Sequence, residues 1–359
     1  NSEITPNDIG FKIAPLINAV GRIGDPKLVI DLLTNKSDSC VKKLTTECVN
    51  LNKERRRMTT TLEEEAIDIA NNQIDHETRF LVLSNSEWHS GIIGIVAARL
   101  LERFNLPTAI LSASNNGLYR GSIRSNEFLK VNKALIECDD ILVSHGGHSA
   151  AAGFTIKREH IPLLKKKLNK IAKKVIKEHH LIKKIKPDSH ISISCINDKF
   201  LNQLSLLGPF GMNNPAPIFW TRKCKVIELY QLKGNHLKLI LDDGTGFIEA
   251  IKWNNRNKLN INDNIDIAFH IENNIWNNIK KIQLNILDIK AYSKIIDLFI
   301  HNRTYKCQLI DKKMILITNS KGQSISSDLS NNSFHLSKSE ELFKRKILSF
   351  AEIALGIVN

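Results

Sequence analysis

Between Ser39 and about Ile74 the chain contains neither glycine nor proline. Its apolar residues recur in steps of three and four. Val41, Leu44, Cys48 and Leu51 are followed, after a wider step, by Met58, Leu62, Ala66 and Ile69. That spacing puts them on one face of a single helix. At 1.5 Å per residue an unbroken helix here is about 50 Å long. A rod of that length outgrows one ordinary domain and suits a strut between two, which fits a chain of 359 residues.

The segments around it change character. Residues 1–35 read as helical with a turn, Asp25 capping and Pro26 opening the second helix. From 79 to 156, RFLVLS, TAILSA, YRGSIRS, DILVSH and AAGFTI read as strands, with IIGIVAARLLERF and NKALIEC as helices between them. Alternating strands and helices predict an α/β domain. Residues 157–186 read as a basic helix, with twelve Lys or Arg against two Glu and an apolar stripe of Leu164, Leu168, Ile171 and Val175. A solvated outer face explains such a run better than a dedicated nucleic-acid contact.

From about 187 to 290, HLKLILDD, GFIEAIKW, NIDIAFHIE and KKIQLNILDIK are strands divided by DDGTG and NNRN turns. About five strands in such a length fit a small barrel of the oligonucleotide-binding kind. In 291–359 a polar run from Ser320 to Asn332 reads as a loop, and KSEELFKRKILSFAEIALGIV as a closing helix.

Charge and cysteines narrow the partners. A net charge of +14 argues softly for an anionic partner. None of the six cysteines stands at C-x-x-C spacing, so they read as reduced, mostly buried thiols of a cytoplasmic protein rather than zinc ligands. No apolar run reaches membrane-spanning length, the first residues carry no signal-peptide apolar stretch, and a chain that begins at Asn1 reads as a fragment or processed product.

Three stretches of the α/β region carry chemistry. In VSHGGHSAAAGF, residues 143–154, Gly146 and Gly147 let a ligand approach the main chain, with His148 at the mouth and small residues packing beneath. A tight turn bearing a surface histidine is the plain alternative. In SEWHSGIIGIVAARL, Gly91 and Gly94 open a helix after His89, an anion site by helix-terminus physics. The plain alternative is capping by Ser90, with Gly94 chosen for close helix–sheet packing. In RGSIRS, alternation puts Arg120, Ser122 and Arg124 on one strand face, where they can hold phosphate oxygens.

Taken in order, PLINAVGRIGD, NKERRR, WHSGIIGIVAARL, GSIRS and GGHSAAAGF, followed by LGPFGMNNPAPIF and a barrel, resemble the bacterial RecJ exonuclease family of the DHH phosphoesterase superfamily over about residues 10–290. The resemblance implies an α/β plus β architecture. Its parts are the end of a DHH domain (1–38), a long connecting helix (39–75), a DHH-associated α/β domain with its basic helix (76–186) and an OB-fold-like barrel (187–290); beyond the resemblance, 291–359 reads as an α+β extension.

It also implies a 5′-to-3′ exonuclease acting on single-stranded DNA in repair and recombination, with a single-strand-binding protein and a recombination helicase as further partners and no membrane. By residue, it implies that His148, Gly146 and Gly147 border the scissile phosphate. Arg124, Ser122 and Ser125 bind backbone phosphates or the 5′ end. His89, Gly91, Asn18 and Arg22 stand beside the same cleft. Apart from the resemblance, Trp253 and Trp276, near Asn-rich turns of the barrel, read equally as rings for base stacking or as barrel core, whereas Phe269 reads as core.

The family's two manganese or magnesium ions are expected on an upstream domain, because this chain has no DHH tripeptide. The chain is therefore expected to bind without cleaving. Three other readings stay open: a non-catalytic single-strand-binding module, an oligoribonucleotide or cyclic-dinucleotide phosphodiesterase, and, fitting poorly, an alanyl-tRNA synthetase associated domain.

Overall fold

The computed structural model of the chain describes residues 8–181, 185–211, 213–255, 258–276, 279–300, 303–310, 314–328 and 338–355; at a few helix and strand positions, Trp276 among them, only the backbone is described. The chain divides into two compact units, 1–183 and 184–359.

The first unit opens with a π-helical turn and two short helices, α1 (Ala14–Ile23) and α2 (Lys27–Thr34). The Asp25 carboxylate accepts from the Lys27 amide at 2.9 Å, so Asp25 satisfies an orphan donor of α2 as its sequence position predicts. The long run forms one uninterrupted helix, α3 (Asp38–Gln73), about 54 Å long. Its C-terminal half buries Leu62, Ala66 and Ala70 against the domain that follows.

That domain is a five-stranded sheet. Its elements in chain order are β1 (Leu81–Asn85), α4 (Ile93–Phe104), β2 (Thr108–Ala113), β3 (Leu118–Arg124), α5 (Val131–Ile136), β4 (Leu142–Gly147) and β5 (Ala151–Lys157). After it come α6 (Ile161–Val175) and the single turn α7 (Glu178–Leu181). The strand order is β1-β2-β3-β5-β4, parallel between β1 and β2 and antiparallel elsewhere. The predicted basic helix is thus shorter than its charge run. It starts at Ile161 with Pro162 in its first turn and stops at Val175.

Two cores sandwich the sheet. On one face α3 and α4 cover Leu81, Leu83 and Ile110, and Trp88 is pinned to α3 by its indole N–H donating to Glu65 at 2.8 Å. On the other face α5 and α6 cover Val82, Leu111, Ile123, Phe154 and Ile156. Each fully buried Leu or Ile contributes about 2 kcal/mol. Gly121 exists for this second core: a β-carbon there would overlap the Phe154 ring.

The second unit begins with β6 (Ser189–His190) and α8 (Asp198–Ser205), whose N-cap Asn197 accepts from the Phe200 amide at 3.0 Å. Five strands follow: β7 (Phe219–Leu232), β8 (His236–Asp242), β9 (Phe247–Lys252), β10 (Asn264–Trp276) and β11 (Ile279–Ala291). They pair in the order β10-β11-β9-β8-β7, and pairing of β10 with β7 closes the barrel. Alternate residues fill it, among them Leu237, Leu239, Leu241 and a wholly buried Phe269.

The C-terminal extension is an antiparallel meander, β12 (Ile295–Ile300), β13 (Arg303–Leu309), β14 (Met314–Asn319) and β15 (Ser324–Asp328), with α9 (Lys338–Leu355) on one face. Here the sequence expectation is corrected. Ser324–Asp328, inside the run read as a loop, is an edge strand paired to β14; the rest of that run from 329 lies outside the described residues. SISSD has only one large apolar residue, because an edge strand with one wet face needs little more. Cys48, Cys138, Cys224 and Cys307 are buried, whereas Cys40 and Cys195 are exposed. Burial pushes the Cys138 and Cys307 thiols up to about 11, so both stay protonated at neutral pH.

Candidate nucleic-acid interface

Helices α3 and α4 cover the β1–β2 half of their sheet face, and the first turn of α4 reaches Ser122 and Arg124 on β3. On the other half, β3, β5 and β4 present a short ladder of paired residues. Arg124 lies opposite Ala151. Ser122 lies opposite Gly153, which lies opposite Gly146. Arg120 lies opposite Thr155, which lies opposite Ser144. Paired residues project to the same side, so a glycine trough runs between two rows that carry side chains. Arg120, Gly153, Gly146 and Ser144 are exposed. A β-carbon on Gly146 would meet nothing within 4 Å, so the trough is open above that position.

The β4–β5 hairpin closes one end of the trough. The His148 amide donates to the Ala151 carbonyl at 2.8 Å, which leaves the His148 side chain exposed at the tip. Gly147 has φ +140°, and a β-carbon there would lie 2.5 Å from both Ala151 O and Ala152 Cα. This is the tight turn with a surface histidine foreseen as the plain alternative, and it borders an open glycine surface as the functional reading requires. The turn is anchored from behind: the Val131 amide donates to Ser149 O and the Ser125 amide to Ala150 O, both at 2.9 Å. Ser125 is buried, and its hydroxyl donates to Leu129 O at 2.9 Å. It shapes the loop beneath the turn and presents no free hydroxyl to a ligand.

Beside the trough the N-terminus of α4 meets two arginines. Gly94 in its first turn sits against β3; a β-carbon there would be 3.0 Å from Ser122 Oγ and 3.1 Å from Arg124 Nη2. Arg124 donates to Ser122 Oγ at 3.1 Å and to Ile123 O at 2.8 Å. Arg22, at the end of α1, donates to Gly91 O at 3.2 Å, and the Gly91 amide donates to His89 Nδ1 at 3.1 Å. Ser90 does not cap α4. The helix starts further on, at Ile93, and no side chain bonds its first turn. The Ile95 and Val96 amides donate to Ile92 O, which leaves those of Ile93 and Gly94 for an anion.

The long helix adds a residue of the NKERRR stretch to which the sequence assigned no role. Arg55 bonds Asn52 Oδ1 at 3.0 and 3.2 Å. Burial first, then repulsion from Arg56, Arg22 and Arg99, lowers its pKa. Burial first, then Arg22, does the same to Arg124. Arg22 therefore repels both Arg55 and Arg124, and among the described residues none of the three has a carboxylate partner. The sequence did carry a signal. The apolar stripe of α3 skips from Leu51 to Met58, and Asn52, Arg55 and Thr59 fill the gap on the same face.

Other predicted residues stand apart. Asn18 is exposed on α1 and lines, with Arg22, a separate groove of about 620 Å³ between α1 and α2. In the second unit, Trp253 is 47% exposed and its ring meets the His236 ring edge-on at 4.8 Å. Trp276 ends β10 opposite Ile279; its side chain lies outside the described residues. Phe269 is core. The lysines of α6 lie on the sheet's opposite side and are largely engaged: Lys167 with Asp140, Lys173 with Glu77, Lys174 with Glu137 and Lys165 with Gln73.

Among the described residues no three His, Cys, Asp or Glu side chains gather as a metal site. No helix among them is long and apolar enough to cross a membrane.

Comparison with known proteins matches residues 77–174 to the DHHA1 domain and residues 187–288 to the RecJ OB domain. The chain is 32% identical over 292 residues to the single-stranded-DNA-specific exonuclease RecJ of Bacillus subtilis, covering 80% of this chain and 37% of that protein. It is 26% identical over 286 residues to the exonuclease of the same name from Thermus thermophilus, covering 79% and 40%. Among solved structures, RecJ from Thermus thermophilus in complex with Mg2+ has a TM-score of 0.67 at 25% identity, covering 81% of this chain and 45% of that one. The structure of the same protein with Mn2+ has a TM-score of 0.67 at 26% identity, covering 81% and 43%. The chain thus spans less than half the length of these relatives.

Proposed function

Residues 77–174 form a DHHA1 domain and residues 187–288 a RecJ OB domain, which places the chain in the RecJ family, and from that premise we propose that it grips single-stranded DNA for a 5′-to-3′ exonuclease of repair and recombination. One observation carries this reading. Arg22 and Arg124 flank the uncapped N-terminus of α4, Arg22 at Gly91 and Arg124 against Gly94, beside an open glycine trough; Arg55, held by Asn52 on α3, is near enough to be repelled by Arg22, and among the described residues none of the three has a carboxylate partner. Crowded guanidiniums destabilise the free protein and reward a bound anion. A strand phosphate fits there, held bidentately by Arg124 and by the α4 amides, with Ser122 and His89 at its edge.

The trough lets the sugar-phosphate backbone lie against the main chain at Gly146 and Gly153, and His148 at the hairpin tip then borders the next phosphate. Asn18, which lines a separate groove between α1 and α2, is left out of this grip. On the barrel, Trp253 offers a stacking ring, with Trp276 assigned the same task.

Hydrolysis in this class of reaction uses two divalent ions to activate water and stabilise the leaving oxygen. RecJ of Thermus thermophilus is solved with Mg2+ and with Mn2+, and the chain covers less than half of it, so we assign the manganese or magnesium ligands to the part it does not cover. The 359-residue chain by itself then binds and does not cut, which is also how a non-catalytic single-strand-binding module behaves. The test is fluorescence anisotropy of this chain with 5′-phosphorylated single strands against duplex of equal length, across a salt series. The expected result is preference for the single strand, an affinity that falls with salt, a loss of about tenfold on Arg124→Ala and no nucleotide release with manganese. Equal binding to duplex, or indifference to Arg124→Ala, refutes the assignment of the grip. Manganese-dependent release refutes the division of labour.

A further inference from the structure

The far row of the ladder is a site of its own. Arg120, Ser144 and Thr155 line a cavity of about 300 Å³ whose walls also include His145, Gly146, Gly153 and Phe154. Arg120 is exposed, and among the described residues no carboxylate pairs with it. Its register partner on β2, Ser112, projects to the same side and holds a buried hydroxyl without a hydrogen-bond partner. One guanidinium and two hydroxyls, with no acid among the lining residues, form a donor set suited to an oxyanion.

Arg120 and Arg124 are four residues apart on one strand, about 13 Å at the rise of an extended chain. The oxygens of a single phosphate cannot reach both. Between them lies the Ser122–Gly153–Gly146 row, where two of the three positions carry no side chain.

We propose that Arg120, with Ser144 and Thr155, holds a second, internal phosphate of the same single strand, so that β3 measures a fixed length of backbone between its two arginines. The proposal rests on the strand-gripping reading above and extends it. It makes Arg120 a binding residue for strands long enough to cross the trough and irrelevant to shorter ones.

The experiment uses the 359-residue chain with Arg120→Gln and Arg124→Gln. Each is titrated with a 5′-phosphorylated long oligothymidylate, and with a 5′-phosphorylated dinucleotide as competitor, over a salt series. Arg120→Gln is expected to weaken the long strand about tenfold. It should reduce the salt slope by about 0.7, the share of one phosphate contact on a single strand. It should leave dinucleotide competition unchanged, whereas Arg124→Gln weakens both ligands. If Arg120→Gln leaves the long-strand affinity and slope at wild-type values while Arg124→Gln lowers them, the second phosphate site is wrong and the grip stands. If Arg120→Gln weakens the dinucleotide as much as the long strand, both arginines serve one phosphate and the measured length is wrong. If neither substitution weakens the long strand, the grip itself is wrong. Where the dinucleotide competes too weakly to measure, the long-strand salt slope decides.

Discussion

Arg22 and Gly91 interlock. The carbonyl oxygen of Arg22 fills the place where any other residue at 91 would carry its β-carbon, while the Arg22 guanidinium donates to the Gly91 carbonyl at 3.2 Å. Gly91→Ala therefore forces α1 away from the loop that opens α4. A loss of about 1–3 kcal/mol of stability is expected from such overpacking. Because Arg22 moves with α1, single-strand affinity should fall as well. Urea unfolding and anisotropy on the same variant check both.

Arg55 should trade stability against binding. Burial and three neighbouring arginines disfavour its charge in the free chain. Arg55→Gln is expected to leave the unfolding midpoint level or raised, and to lower affinity for a phosphorylated strand about fivefold. Adding the strand should raise the melting temperature of the variant less than that of the wild type. A lowered midpoint without ligand refutes the view of Arg55 as a strained anion-binding group.

The two adjacent glycines should behave differently. Gly147→Ala meets the Ala151 carbonyl at φ +140° and is expected to cost about 1–3 kcal/mol. Gly146→Ala meets nothing in the protein. It should fold with wild-type stability yet bind single strands more weakly, since its methyl stands in the trough. Circular-dichroism melts paired with anisotropy separate the two effects.

Trp253 should contribute without charge. Trp253→Ala is expected to cost about 1–3 kcal/mol of single-strand affinity for each base lost from its ring, with the salt slope unchanged. A change in slope indicates that the ring organises a phosphate contact instead.

His190 should make the barrel sensitive to acid. Burial, reinforced by Arg222 and opposed by Asp243, lowers its pKa, and its ring meets Trp220 at 5.2 Å. With the folded pKa below the unfolded value, the unfolded chain takes up the proton first. Stability is then full above about pH 6.5 and falls as pH drops towards the folded pKa. Relative to His190→Gln, the wild type should lose stability over that window and level off below it. Chemical denaturation at a series of pH values tests this, and parallel curves for the two proteins refute it.

Much of the molecule was legible along the chain. Helical spacing without a breaker determined α3, and alternation determined β1 to β5 and most of the barrel, because burial of one face imposes a period that the residues must obey. Gly146, Gly147 and His148 announced a turn through residue type alone. The meander was harder to read, since strands such as Ser324–Asp328 with one wet face and an open edge leave a weak pattern.

Periodicity says that a face is buried, not what buries it. That α3 and α4 cover β1, β2 and the Ser122–Arg124 end of β3 but leave β5 and β4 bare follows only from the strand order. The meeting of Arg22, Arg55 and Arg124, about a hundred residues apart in sequence at the extremes, follows only from packing α1 on α3 and α4 on β3. Local sequence fixes the conformation of each segment, whereas a binding site is set by which segments pack together, a matter of long-range burial that no local window contains.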